Sequence, residues 1–287
     1  MNSSVKRTSG SAPARRPLER PDRQVLVDQM LSASKRSGVP VRRAFLQRDP
    51  GEVGADGTRA AALREFSRDP VTLDCYLWIA AMASASEPYV SWFPAATWAQ
   101  VAGLAEHATI EAARARWAKA VTKLERLRLV ERERGAKNKM IYRLLHEDRS
   151  GEPYTRPVKG SVDGHWFSIP HVYWREGFDL SLTGPERLML LIALDQKDGF
   201  RIPPDRVPDW YGLSESTAKR GYAGLLQKGI LSRDSRWAPD PRSPTGWRQD
   251  VFYTTETPWS LDERNAAMKR RPAKAAVTFE PAPQEDS

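Results

Sequence analysis

Residues 207–234, VPDWYGLSESTAKRGYAGLLQKGILSRD, carry the densest structural signal in the chain. Gly212 ends a short helix, because glycine accepts the left-handed conformation that a helix C-terminus often needs. Ser214 or Ser216 then caps the next helix by accepting a hydrogen bond from its free N–H groups. Ala218, Tyr222, Leu225 and Leu226 recur at helical spacing and predict one buried face. Thr217, Lys219, Arg220, Ala223 and Gln227 occupy the rest of the circumference. Gly229 stops the helix, and Ile230-Leu231 opens an extended segment.

Arg233, Arg236 and Trp237 lead into the loop APDPRSPTGW (238–247), which carries Arg242, and Arg248 begins the run to VFYTT (251–255). Two strands joined by a basic loop directly after a long helix make a wing. The stretch therefore resembles the winged helix-turn-helix family of DNA-binding domains. The resemblance implies that the second helix offers its N-terminal part to a DNA groove. It makes Ser214, Ser216, Thr217, Lys219, Arg220, Arg233, Arg236, Arg242 and Arg248 candidate DNA contacts. A small helical core motif with a solvated polar face suits residues 207–234 equally well, and both readings stay open on that segment alone.

A second copy of the plan stands upstream. TWAQVAGL reads as a short helix ended by Gly103, and IEAARARWAKAVTKLERLRL as a long one. Ala113, Trp117, Ala120, Val121, Leu124 and Leu127 form the long helix's apolar face. Arg116, Lys119, Lys123 and Arg126 recur at intervals of three and four, which predicts one basic stripe. Val130-ERER-GAKNK-MIYRLL then reads as strand, basic loop and strand. Arg114, the four stripe residues, Arg132, Arg134, Lys137 and Lys139 are the DNA-contact candidates of this half.

Phe93-Pro94, Trp98 and Gly103-Leu104 match Ile202-Pro203, Val207 and Gly212-Leu213 at a constant offset. Lys119, Val121, Leu124 and Leu129-Val130 match Arg220, Tyr222, Leu225 and Ile230-Leu231 at a second offset, eight residues shorter. The difference is an insertion around AEHATIEA, and the shared order of elements predicts a tandem repeat.

Residues 166–255 also resemble the DNA-binding domains of phage and plasmid replication proteins, and related patterns occur in transcription regulators. WFSIPH, LSLTGPERLMLLIAL and YGLSESTAKRGYAGLLQKGIL carry this likeness. In the second of these, Thr183 caps a buried helix and Pro185 fits its first turn. Gly221 and Gly224 depart from a strong helix former, each costing about 1 kcal/mol against alanine.

Charge and composition bound the rest. The chain has 287 residues, 40% hydrophobic, with 22 prolines and 18 glycines, so long irregular stretches accompany about two ordinary domains. Its net charge of +9 is concentrated early: residues 1–68 hold 14 basic and 7 acidic side chains, residues 161–261 hold 12 and 13. The single cysteine, Cys75, excludes an internal disulfide framework and reads as a buried, inert thiol. The N-terminus lacks an apolar core after its basic residues, no run is long enough to cross a membrane, and a cytoplasmic location is expected. His107, His146, His165 and His171 show no metal-ligand spacing. Phosphate-cradling, dinucleotide and nucleophile-elbow motifs are missing from the sequence. No enzyme activity and no cofactor are expected. Trp237 and Trp247 are expected to pack the second hairpin against its helix, with contact to the DNA backbone as the alternative.

The expected fold is mainly α with small β wings, two winged helix-turn-helix domains in tandem. A disordered basic arm spans 1–23, and the first domain with its N-terminal extension spans 24–148. A linker occupies 149–164, the second domain 165–260 and a disordered tail 261–287. Within the extension, a helix is expected at 22–34, lined by Val25, Leu26, Met30 and Leu31, and a short strand around Ala44–Leu46. The expected function is sequence-specific binding of double-stranded DNA in transcription regulation. The alternatives are a plasmid or phage replication initiator binding origin repeats, and a winged-helix protein-interaction module. Double-stranded DNA is the expected partner, with a homodimer contact or the replication or transcription machinery beside it.

Overall fold

The computed structural model describes residues 20–34, 36–84, 86–136, 139–157 and 165–270. Helix α1 (Arg23–Ala33) starts at Asp22, whose side chain accepts from the Gln24 N–H. It buries Val27, Met30 and Leu31, while Val25 is exposed, so its inner face differs from the one expected. Strand β1 (Gly38–Arg42) and two 3-10 turns, Arg43–Phe45 and Ala62–Phe66, lead to α2 (Pro70–Met82). Residues 72–81 of α2 are all buried, which makes it the central helix of the molecule.

Beside α2 stand β2 (Val90–Ser91), α3 (Ala95–Val101), α4 (Ile110–Arg126), β3 (Val130–Arg134) and β4 (Met140–Leu144). The three strands form an antiparallel sheet in the order β2-β4-β3. Next come β5 (Trp166–Pro170), the short helices α5 (Val172–Arg175) and α6 (Phe178–Ser181), and α7 (Gly184–Leu194). Thr183 caps α7, as its sequence suggests, and Glu186 completes a reciprocal capping box. Then follow α8 (Val207–Tyr211), α9 (Glu215–Gln227), the hairpin β6 (Leu231–Pro239) and β7 (Trp247–Thr255), and α10 (Leu261–Lys269).

The chain is mixed α/β, 44% helical and 19% strand, with three small antiparallel sheets, which overturns the expected mainly α class. The strand content comes partly from a sheet without a wing role. β1 pairs antiparallel with β5, from Gly38↔Pro170 to Arg42↔Trp166. GVPVR hides as a strand because it contains glycine and proline. Pro40 is tolerated in a two-stranded sheet, where every strand is an edge. Gly38 is required by close approach, since a Cβ there would lie 2.3 Å from Ser168 Oγ. The strand expected at Ala44–Leu46 is instead part of a 3-10 turn.

That sheet joins the two halves. One continuous cluster of buried residues runs from Val27 to Trp259, so the units expected at 24–148 and 165–260 share a core. Buried Arg42, at the end of β1, donates to Glu147 at 2.6 Å and to the Thr155 hydroxyl at 2.8 Å, which ties the strand to the first unit and the segment after it. Other ion pairs cross to the second half. Arg43 pairs with Asp195 at 2.8 Å, Arg23 with Asp179, and Arg187 with Asp74, which also accepts from the Tyr173 hydroxyl at 3.0 Å. The start of the expected linker is packed as well: Tyr154 is buried, and Pro153 bridges Leu145. Residues 158–164 of that linker and 1–19 of the expected arm lie outside the described residues.

The expected tail at 261–287 begins with a helix. Ser260 caps α10 by accepting from the Glu263 N–H, and Arg264 is only 4% exposed, donating to the Trp259 carbonyl at 2.9 Å. Residues 271–287 lie outside the described part. Cys75 is a free, buried thiol, as expected. Among the described residues, no helix is long and apolar enough to cross a membrane.

Two consequences can be measured. Removing one partner of a buried ion pair leaves an uncompensated charge, so Glu147→Ala should destabilise the chain by about 3–5 kcal/mol. Glu152→Ala, at an exposed position nearby, should change stability by less than about 0.5 kcal/mol. Equal effects in denaturant titrations would contradict the assigned role of Arg42–Glu147.

The second consequence concerns pH. Burial pushes the Asp74 carboxyl up to about 7, and Asp179 up to about 6, despite Arg187 and Arg23 beside them. An unfolded aspartate titrates near about 3.9. Between that value and the folded ones, the native chain holds more protons than the unfolded chain. The stability these groups contribute is therefore present at low pH and lost as pH rises through about 6–7. Thermal melts should show wild type losing stability relative to Asp74→Asn as pH rises from about 5 to 8. Parallel pH profiles would contradict this.

Candidate nucleic-acid interface

Each half presents a short helix, a long helix and a hairpin, in that order. In the first, Gly103 takes φ +69° after α3, and Thr109 caps α4 by accepting from the Ala112 N–H at 3.3 Å. Trp98 on α3 stacks on Trp117 of α4, with centroids 5.0 Å apart and planes 5° apart. Trp117 Nε1 donates to the Tyr142 hydroxyl on β4 at 2.9 Å. This aromatic wedge fixes the angle between the two helices and ties both to the sheet.

Ala113, Trp117, Ala120, Val121 and Leu124 face the core, as the spacing predicts. The candidate stripe divides. Arg116, Lys119 and Arg126 are exposed, as is Arg114 on another side of the helix. Lys123 instead turns to Asp69 at 3.0 Å and to the Glu65 carbonyl at 3.0 Å, so it serves the packing of the turn before α2. Between the cations, the outward face carries Ala115, Ala118 and Thr122, all exposed. These small side chains leave the backbone of α4 free to approach a surface closely. Their signal in the sequence is alanine where a soluble helix usually shows charge.

On the first hairpin Arg134 and Lys139 are exposed, while Arg132 pairs with Glu125 at 2.9 Å. Lys139 Nζ lies 3.9 Å over the ring of Trp92, itself 51% exposed. Lys137 lies outside the described residues.

In the second half, Gly212 takes φ +66° and Ser214 caps α9, accepting from the Thr217 N–H at 3.1 Å. Ser214 also shares hydrogen bonds with the Ser216 and Thr217 hydroxyls, at 3.0 and 2.8 Å. Tyr222 stacks on Tyr253, with centroids 4.2 Å apart, and donates to the Ile202 carbonyl at 3.0 Å. The two glycines that break the helix-former pattern have a packing reason. A Cβ on Gly221 would meet Met189 Cγ at 2.3 Å and the Pro185 carbonyl at 2.6 Å. A Cβ on Gly224 would meet Glu186, which pairs with Lys228 at 2.9 Å. α9 thus lies directly on α7.

The solvent face of α9 carries Ser216, Lys219, Arg220, Ala223 and Gln227. Lys219 pairs with Glu215 at 2.6 Å, an exposed contact of little energetic weight. The second hairpin is largely neutralised. Arg236 pairs with Asp234 at 3.3 Å and lies over Phe252, and Arg248 pairs with Asp250 at 2.8 Å and with Asp240 at 3.5 Å. The Arg248 guanidinium holds the Asp250 carboxyl below its ordinary range. Arg233 and Arg242 are exposed and form no ion pair among the described residues. Trp237 and Trp247, expected to pack the hairpin on its helix, are 65% and 52% exposed. The reason is length: each strand has nine residues, and only the base of the hairpin reaches the core.

A cavity of about 950 Å³ opens beside residues 42–65. Arginines 42, 43, 48, 64 and 149 line it together with carboxylates 49, 52, 56, 65 and 148, so it has no net preference for either sign. Comparison with protein-family models, with curated proteins and with solved structures found no match for the chain.

The glycine packing gives a direct test. On an exposed helix, glycine to alanine stabilises by about 1 kcal/mol. Gly221→Ala should instead destabilise by about 1–3 kcal/mol, because the new methyl overpacks the α7–α9 contact. A stabilised variant would show that the two helices sit farther apart.

Proposed function

We propose that the chain binds double-stranded DNA sequence-specifically as a transcription regulator, with the helix-turn-helix and hairpin of its first half as the principal contact. The observation that carries this reading is the outward face of α4. It combines Arg116, Lys119 and Arg126 with Ala115, Ala118 and Thr122, all exposed. Cations supply phosphate contacts, and small side chains admit a helix to the floor of the major groove, where threonine and alanine can touch base edges and thymine methyls. Arg134 and Lys139 on the hairpin extend the cationic surface. Residues 110–143 hold 11 basic and 4 acidic side chains, against 7 and 3 in 214–248. α9 is the second reader, with Lys219, Arg220 and Gln227 as its base or phosphate contacts. The winged-helix reading rests on the order of elements in the two halves.

A replication initiator would use the same surfaces on origin repeats. A protein-interaction role is favoured for one element alone, the second hairpin, where Arg236 and Arg248 are paired with carboxylates and both tryptophans are exposed.

Selection of bound fragments from genomic DNA by the full chain should enrich one motif, near promoters for a regulator and as clustered repeats for an initiator. Lys119→Ala with Arg126→Ala should weaken binding to that motif and lower the salt slope by about 0.9 for each phosphate contact removed. Thr122→Ala should relax preference at one base position, by about 1–3 kcal/mol if its contact is to a base edge. Recovery of fragments without a common motif, or unchanged affinity in the double variant, would contradict the proposal.

A further inference from the structure

We propose that the chain forms a two-fold homodimer by pairing the outer edge of β6 with the same edge of a second copy. This goes beyond the DNA reading and does not depend on it. β6 and β7 form a two-stranded sheet, so β6 has a partner strand on one side only among the described residues. The corresponding outer edge of β7 is partly closed, because Phe200 and Tyr253 exchange two backbone hydrogen bonds of 2.9 and 2.8 Å.

Those two bonds set the phase of the hairpin. Tyr253 turns its N–H and C=O away from β6, so its cross-strand partner Arg233 turns its own groups outward on the opposite edge. Alternation then directs the free backbone groups of Ser235 and Trp237 outward as well. Pro239, next in that series, has no N–H and ends the row. Every side chain from Ser232 to Trp237 is exposed.

The edge sequence, Arg233-Asp234-Ser235-Arg236-Trp237, complements itself when two copies run antiparallel about Ser235. Ser235 then faces Ser235, and the outward N–H and C=O groups of both copies pair. Asp234 of one copy faces Arg236 of the other at the close, non-hydrogen-bonded position, where Cα atoms stand about 4.5 Å apart. Arg233 faces Trp237, which puts a guanidinium beside the most exposed indole of the chain. Sliding one strand by two residues would place Asp234 on Asp234 or Arg236 on Arg236, both unfavourable. The charges therefore select one register.

In the single chain, Asp234 pairs with its own Arg236 at 3.3 Å and accepts the Ser235 N–H at 2.8 Å. The carboxylate covers an edge donor that otherwise has only water, and both contacts are exposed enough to exchange. The hairpin's low net charge, four arginines against three aspartates over 231–255, permits two copies to approach. A five-residue strand pair is small beside an ordinary stable interface, which places the association in the micromolar range.

Sedimentation of the full chain without DNA tests the proposal. Wild type should shift from monomer towards dimer as concentration rises to about 100 µM. Asp234→Arg should raise the dissociation constant about tenfold, because arginine then faces arginine at two symmetric positions. Asp234→Arg with Arg236→Asp should restore wild-type association, since the exchanged charges again face each other across the two-fold axis. Ser235→Pro keeps every charge but removes the central donor, and should leave a monomer. All four chains should melt alike, because the positions are exposed. A wild type that stays monomeric, a dimer indifferent to Asp234→Arg, or a double variant that fails to recover would each overturn the proposal.

Discussion

The guanidinium of Arg42 is the constraint on which the remaining structure depends. It is fully buried at the end of β1, and a buried cation must find its partners inside the protein. It finds them in Glu147, at the end of the first hairpin, and in Thr155, beyond it. The strand that carries Arg42 is at the same time hydrogen-bonded to β5, from the second half. One residue thus joins an N-terminal strand to the first helix-hairpin unit, while its strand joins the second. Such a pair adds little net stability over a well-packed apolar substitute, but it specifies one arrangement, because any other leaves the charge unpaired.

The two long helices inherit their positions from this joint. The segment after Arg42 runs to the turn at Glu65 and Asp69, which holds Lys123 and so the middle of α4. The same segment packs on the turn before α9: Gly212 lies against Ala60 and Arg64, and the Arg59 N–H donates to the Asp209 carbonyl at 2.8 Å. α9 is then pressed on α7 at Gly221 and Gly224. Both long helices are therefore held by one continuous support, and their separation is a property of the core.

Much of this was legible in sequence, and the exceptions have physical causes. The two long helices, the cap at Ser214 and both hairpins follow from apolar periodicity, cap residues and glycine stops. β1 was not legible, because its evidence is a long-range pairing and its composition argues against a strand. α10 has only a weakly apolar face, although Ser260-x-x-Glu263 is a visible helix start. Among the candidate contacts, spacing alone placed Lys123 with Arg116, Lys119 and Arg126. Spacing reports which face a side chain leaves from, whereas the carboxylate it reaches is decided by tertiary contacts. The tryptophans of the second hairpin stand exposed for a related reason: hydrophobicity predicts burial only where a strand still overlies a core.

The central claim is that the helix-hairpin units of the two halves open and close as one body. Native-state hydrogen exchange in mild denaturant reads this directly, since it reports the free energy at which each segment opens. The account predicts that amides of β1 and β5 and of the buried helices α2 and α7 exchange through one common opening, with the free energy of global unfolding. Protection that persists across residues 165–255 under conditions where residues 70–144 exchange freely would contradict it.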